Sequence, residues 1–575
     1  MKTFKWIFAM VLLLVATTYT VANEPHMEND YNKLWKQADS LAELRQPRAA
    51  MEVVDEIHRL ARQDENVSQA VRAQLYRLKL SSEFEEDYMV NAIEKIRDEI
   101  ETVQLPEQQL LHSILGEMYF KYYQFNRYKI LNRTATIGVE NQDIEVWDVN
   151  RIMEEASLQF SLSLQEPGEL KKLNIRSFAP ILEEEKGSQA FRPTLFDFLA
   201  WRAIDFYLNE ESNPKVVSAQ FIPKDKKYFD PAATFVEIAF PEDYAKSPSV
   251  MALGILQDLL DFHLNDKDPN ALVDADLKRL EIIHQKAVLP EKDELYLKAL
   301  EKLREDYKTS EASADVAFQM ARFHHQQASK YQPLVSDAYR WENKKAVSIC
   351  EEAVKAFPES TGANNCRVLM ERIKEVSLQV KVENAVIPGE PSLGLLSWKN
   401  FDKAWFRLIK MDYEDFTEMT RQSRREEIAK KLAGQQFMNA WSVSLPDEND
   451  YQQHSLEFGI PAVSPGFYIL LVSSSEVFEG GPTKLAWAEC WSTGLSSISQ
   501  RLEEGGYDLY VLDRESGKPR PGVTVSVYKR DYDYRQRKYQ TTFVLDEVTD
   551  GDGFAKIDAD NGVRGGVFIE LKEGD

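Results

Sequence analysis

Cysteine is nearly absent from this sequence: Cys350, Cys366 and Cys490 are the only three among 575 residues. None lies near the start of the chain, which excludes an N-terminal lipid anchor on cysteine. Long apolar runs are lacking too. The stretch from Trp6 to Ala16 is too short for a bilayer core, which needs about 20 apolar residues, and nothing later is apolar enough to try. Excess positive charge is also missing. A formal charge of −24 repels phosphate backbones and anionic headgroups, so no nucleic-acid partner and no membrane insertion are expected. The densest basic run, Lys529, Arg530, Arg535, Arg537 and Lys538, is interleaved with Asp531, Tyr532, Asp533 and Tyr534 and reads as a solvated strand edge or loop.

The motifs of catalysis are absent as well. There is no Gly-rich phosphate loop, no His-Glu-x-x-His pair and no Gly-x-Ser-x-Gly elbow. The eight histidines are scattered. His324 and His325 are adjacent, so on a helix they diverge by about 100° and cannot share a metal. His263 lies among Phe262 and Leu264 and reads as a core or boundary residue rather than a base. Asp546, Asp550, Asp552, Asp558 and Asp560 fail the spacing that wraps a calcium ion, and Asp550-Gly551-Asp552-Gly553 fits a tight turn instead. No catalytic residue, cofactor or metal is assigned, and the chain is expected not to be an enzyme.

What is present begins with Lys2 and Lys5, an apolar stretch and small residues at Thr20 and Ala22, the pattern of a secretory signal peptide cut after Ala22. The expected location is periplasmic or secreted. From residue 23 to about 375 the apolar spacing of three and four predicts an α-helical repeat-like region. Two helices joined at Gln46-Pro47 form one hairpin; Val316–Ala328 and Ala346–Phe357 form another, closed by Pro358. The segment from Ala346 to Pro358 is similar to the second helix of a tetratricopeptide repeat, and such units must stack to bury their faces. Between about 134 and 290 the pattern is less regular: Pro193–Leu208 and Ser249–Leu264 read as buried helices, Thr234–Phe240 as a short extended piece. Partner docking and a mere spacer remain equal readings of this half.

Period-two alternation then takes over, and Pro388, Gly389 and Pro391 are expected to mark a domain boundary by their turn chemistry. Leu378, Val380 and Val382 alternate, while Leu393–Trp398, Ala404–Lys410 and Phe467–Val472 read as strands. Residues 376–494 are expected to form a first immunoglobulin-like β-sandwich with one inserted helix at about 413–432, and residues 495–575 a second one, truncated. Cys350 and Cys366 fall at equal heights about a turn near Glu359-Ser360. A disulfide closing this loop of about 15 residues, worth roughly 3 kcal/mol, and two packed thiols are both open. Cys490, between tryptophans in strand-like sequence, is expected to be buried.

The most specific text runs from Tyr507 to Tyr528 and from Thr549 to Ile557. A strand ending at Asp513, a turn with Gly517, Pro519, Pro521 and Gly522, alternating Val523, Val525 and Val527, and an Asp-Gly turn resemble a macroglobulin domain of the alpha-2-macroglobulin family. With the leader and helical region, the layout is similar to the large bacterial, Bacteroidetes-type macroglobulins. The resemblance implies entrapment of endopeptidases through a bait region and a Cys-x-Glu-Gln thioester. That motif is missing: Cys490 precedes Trp491-Ser492, Cys350 precedes Glu351-Glu352 and Cys366 precedes Arg367-Val368. The sequence is therefore expected to be the N-terminal part of an inhibitor of the cell envelope, not inhibitory alone, with proteases or envelope proteins and the missing C-terminal macroglobulin portion as partners. The alternative is a non-enzymatic periplasmic interaction or scaffold protein.

Overall fold

Helical periodicity governs the chain up to Lys374 and strand periodicity follows from Ser377, in a computed structural model that describes residues 27–574 except 85–86, 133–142, 184–186, 213–220, 447, 480–483, 504, 534–537 and 559–566. The expected signal peptide, Arg535, Arg537 and Asp560 lie outside the described residues. Two compact units are present, which do not divide where helix gives way to strand. The first comprises residues up to Met320 together with Glu351–Cys366; the second comprises Ala321–Cys350 and Arg367 onwards.

The first unit opens on α1 (Met27–Glu43), α2 (Pro47–Gln63) and α3 (Val67–Ser81), whose facing stripes share one core of Trp35, Ala38, Val54, Ile57, Ala61, Ala73 and Leu80. Small residues at the contacts let the helices approach, and Pro47 at the first position of α2 stops α1 and starts the next helix. The chain continues through α4 (Tyr88–Ile100), α5 (Glu107–Ile130), α6 (Val149–Leu162), two short turns α7 (Pro167–Leu170) and α8 (Ser188–Phe191), and α9 (Leu195–Leu208). Thr194 and Asp197 form a reciprocal capping box at the start of α9.

Beyond α9 lie α10 (Ala232–Phe235), α11 (Pro248–His263), α12 (Asn270–Lys286) and α13 (Lys292–Asp306). The extended piece expected at 234–240 is instead a helical turn, α10, followed by non-repetitive chain. Arg279 of α12 anchors the chain that leads into α10. Its fully buried guanidinium binds Asp276 at 2.6 Å, donates to the carbonyls of Tyr228 and Asp230 at 2.8 and 2.9 Å, and lies over the Phe235 ring. Backbone carbonyls that could not pair in a ladder are thus satisfied by a side chain.

Three further helices, α14 (Ala312–Ala328), α15 (Glu342–Ala356) and α16 (Thr361–Lys374), precede the strands. Within the first unit, Gly362 sits so close to the start of α14 that a Cβ there would lie 2.2 Å from the Ala314 carbonyl carbon.

In the second unit, β1 (Ser377–Val382), β3 (Ser392–Lys399) and β6 (His454–Ile460) form an antiparallel sheet, order β1-β3-β6. A second sheet, order β2-β8-β7-β4-β5, holds β2 (Ala385–Val386), β4 (Lys403–Met411), β5 (Asn439–Ser444), β7 (Gly466–Ser473) and β8 (Leu485–Ser492). The domain boundary expected at Pro388-Gly389 is instead a turn between β2 and β3 inside the second unit, because β1 before it pairs with β3 after it. Leu396 and Trp398 of one sheet meet Phe406, Tyr468, Leu470 and Val472 of the other in a shared core. The opposite face of the five-stranded sheet is covered by α17 (Tyr413–Gln422) and α18 (Arg425–Ala433), through Phe416, Ile428 and Leu432 packed on Ile409, Phe467 and Leu471. Being covered on both faces, β7 reads as an unbroken apolar run. The single helix expected at 413–432 is two, because Ser423 is extended and the Arg424 N–H turns to the Glu427 carboxylate, capping a new start.

The last strands form two antiparallel three-stranded sheets. One, order β13-β10-β9, holds β9 (Leu495–Arg501), β10 (Gly506–Asp513) and β13 (Phe554–Asp558); the other, order β12-β11-β14, holds β11 (Thr524–Asp533), β12 (Lys538–Val548) and β14 (Val567–Lys572). Leu509, Val511, Val523, Val525, Val527 and Ile557 fill the space between them. The Asp550–Gly553 turn carries the chain from one sheet to the other. The Asp550 carboxylate accepts the backbone N–H of Asp552 and Phe554, each at 2.9 Å, and Gly553 has φ +70° beneath the Val511 carbonyl, where a side chain would collide.

Candidate functional site

The residues singled out in the sequence are dispersed. His263 is buried with Nε2 2.7 Å from Asp197 and Nδ1 2.6 Å from Asp266, so both ring nitrogens are occupied within the first unit. Burial alone would depress its pKa, but the two carboxylates outweigh that and raise it. His324 and His325 diverge as expected: the first meets Glu342 at 2.5 Å, the second Asn343 at 2.7 Å. Asp546 accepts from Ser526 and Asp558 pairs with Lys556, so the acidic residues near the end of the chain serve separate local contacts. Among the described residues, no group of three His, Cys, Asp or Glu side chains could hold a metal ion.

Cys350 on α15 and Cys366 on α16 are both fully buried. Cys490 departs from expectation: on β8, opposite Tyr468, it is only half buried, and Trp491 beside it is exposed. Burial is still enough to push its thiol pKa up, which removes thiolate character.

The most organised polar cluster lies in the second unit and was not legible in the sequence. The loop between α14 and α15 brings Arg340 onto the loop between β5 and β6. Arg340 Nε donates to Asp450 at 2.8 Å, and its other arm holds Glu448. Asp450 also receives His454 Nε2 and the Gln452 backbone N–H, each at 2.9 Å. Asn343 donates to the Tyr451 carbonyl at 2.9 Å, and the Gln452 amide reaches the carbonyls of Ala328 and Arg340 at 3.3 and 3.1 Å. Burial would raise the Asp450 carboxyl, but His454, Arg340 and Gln452 together hold it below the ordinary range. The Arg340 guanidinium is in turn held more firmly protonated, chiefly by Asp450 and Glu448.

Beside this cluster opens a cavity of about 360 Å³ walled by Trp398, Phe401, Asp402, Glu448, Tyr451 and His454. A second cavity, about 510 Å³ and more apolar, lies in the first unit against Phe229, Leu272, Leu295 and Leu303, with Arg279 at its wall. Arg340 and Asp450 are held by each other and by Glu448, His454 and Gln452, an arrangement that positions the loop. Replacing Arg340 by methionine takes one of three donors from a buried carboxylate, and a loss of about 1–3 kcal/mol in the unfolding of the second unit is expected. Asp450→Asn should cost less in the R340M background than alone; thermal unfolding of the four proteins measures that coupling.

No helix among the described residues is long and apolar enough to cross a membrane. No family model matches the sequence, and no curated protein matches it. Among solved structures, the S. pombe nuclear import adaptor Nro1 aligns over 62% of this chain and 99% of its own at 12% identity, with a TM-score of 0.28. The CARDB domain of a Pyrococcus furiosus protein aligns over 21% of this chain and 88% of its own, at 12% identity and a TM-score of 0.14. Red sea bream transglutaminase covers 36% of this chain, over 30% of its own, at 12% identity and 0.16. Superpositions this loose carry no argument about fold or activity.

Proposed function

We propose that the chain is the N-terminal part of an alpha-2-macroglobulin-like endopeptidase inhibitor of the cell envelope, serving contact rather than chemistry. What supports this reading most is the segment from Tyr507 to Ile557. Its alternating valines all face one core, and its Asp-Gly turn is a sheet-to-sheet corner, as a macroglobulin sandwich requires. In the same reading both β regions are immunoglobulin-like sandwiches and the α1–α3 and α14–α16 hairpins are tetratricopeptide-like repeats. Proteases or other envelope proteins would be its partners, in the periplasm or outside the cell.

Lacking a Cys-x-Glu-Gln thioester, this chain is expected to leave proteolysis unchanged when mixed with trypsin-like or subtilisin-like enzymes, and to form no adduct that survives SDS. A size-shifted, SDS-stable complex would contradict that. The coding sequence beyond codon 575 separates this reading from a periplasmic scaffold. A continuation carrying a bait region and thioester supports the inhibitor, and a clean stop sinks it. The scaffold reading is favoured by one observation, the polar network that fixes the α14–α15 loop in place.

A further inference from the structure

The cavity beside Arg340 lies wholly within the second unit, and its wall carries three carboxylates, Asp402, Glu448 and Asp450, but no lysine or arginine. Arg340 binds two of the three. Even with Arg340 and a protonated His454 counted against them, three negative groups and two positive ones leave a net charge of −1. The Asp402 carboxylate is exposed and, among the described residues, takes part in neither an ion pair nor a hydrogen bond.

Aromatic rings supply much of the remaining wall. Trp398 on β3, only 4% exposed, lines it together with the half-buried Phe401 and Tyr451. The ring of His454, the cross-strand partner of Trp398 on β6, lies 5.5 Å from the indole. Among the described residues the Trp398 indole N–H meets no acceptor. A donor left over on so buried a residue is a place for the acceptor of a ligand. The wall is also shaped in advance. Asn400, Asn449 and Tyr451 hold φ of +65°, +46° and +56°, a left-handed conformation that asparagine adopts readily and tyrosine seldom. Asn343 and Gln452 tie down the loop that carries the last two. A site fixed beforehand loses less freedom on binding.

A metal ion is a poor match, since among the described residues no three His, Cys, Asp or Glu side chains could hold one. Negative charge beside aromatic faces suits an organic cation instead. Guanidinium fits better than ammonium: it is planar, stacks on rings, forks onto a carboxylate and is weakly hydrated. A volume of about 360 Å³, near the lower end of the ~300–1,000 Å³ of ligand sites, has room for one such side chain. We propose that this cavity binds the guanidinium of an arginine, with its plane on the aromatic wall, its N–H groups on the Asp402 carboxylate, and an acceptor of the same ligand on the Trp398 N–H. This inference is independent of the inhibitor reading.

Titration calorimetry of the full chain with Nα-acetyl-arginine amide tests it. Saturable binding is expected, with a Kd on the order of 1 mM. The citrulline analogue, of the same shape but with a neutral urea, should bind at least about tenfold more weakly. Asp402→Asn should weaken binding about five- to tenfold with an unchanged melting temperature, since that carboxylate is exposed and supports no contact in the fold. Phe401→Leu should weaken it about threefold, the loss of one ring face. A doubly capped Ala-Arg-Ala peptide that binds at least about tenfold tighter than the amide assigns the site to polypeptide, and equal affinity assigns it to free guanidinium compounds. The idea is overturned if about 10 mM arginine amide gives no saturable heat, if citrulline binds as well, or if Asp402→Asn binds as tightly as the native chain.

Discussion

Asp315→Asn is expected to stabilise the first unit by about 2–4 kcal/mol at pH 8 and to change almost nothing at pH 4. Burial, then the neighbouring carboxylates of Asp274 and Glu311, push the Asp315 carboxyl from 3.8 up to about 7. A folded state that holds its proton more tightly than the unfolded chain is favoured at low pH. Its advantage therefore shrinks as pH rises from about 4 and is gone above about 7, roughly 3 units at about 1.4 kcal/mol each at most. His263 acts in the same direction. Its raised pKa contributes stability that is complete below about 6.5 and lost as pH climbs through the folded value. Calorimetric scans at pH 4, 6 and 8 separate the two, because the asparagine variant should keep only the later, histidine-linked fall. A variant whose pH profile matched the native one would show that Asp315 is ionised and solvated. Asp450 in the second unit has the opposite sign: its lowered pKa gives stability present above about 4 and lost on acidification.

Gly362→Ala should cost the first unit about 3 kcal/mol or more. The added methyl would lie 2.2 Å from the carbonyl carbon of Ala314 and 2.3 Å from the Asp315 nitrogen, and the obstruction is backbone, which cannot rotate aside. Helix propensity would favour alanine by about 1 kcal/mol, so a net loss of this size requires overpacking to win. Urea unfolding of the variant reads the result directly; a more stable protein would mean that α14 and α16 are spaced more widely than described. Met at the same position should be worse than Ala.

The change of period near residue 375 was legible because it is local: three-and-four spacing on α1 to α3, alternation on β1, an unbroken apolar run on β7. The Asp550–Gly553 turn was legible for the same reason, since its chemistry is contained in four residues. Long-range polar pairing was not. Arg340 and Asp450 stand in loops 110 positions apart, where nothing periodic points one to the other. Asp315 looked like any carboxylate on a helix until Asp274 arrived from α12. Gly362, inside Thr-Gly-Ala-Asn-Asn, carries no sign that a second backbone lies against it. Cys490 misled for a different reason: flanking tryptophans suggested a buried strand, but on β8 Cys490 is only half buried and Trp491 is exposed. The break within 413–432 was hidden because Arg424 is not among the side chains that ordinarily begin a helix.

The separation of Arg340 from Asp450 also orders events in time. A chain made at roughly 5–20 residues per second delivers Arg340 about 5–20 s before the carboxylate that will hold it. During that interval the loop between α14 and α15 has no anchor on the loop between β5 and β6. The loop thus acquires its fixed shape late, only once the β5–β6 loop has been made, so that a ribosome stalled before Asp450 would leave it without its support.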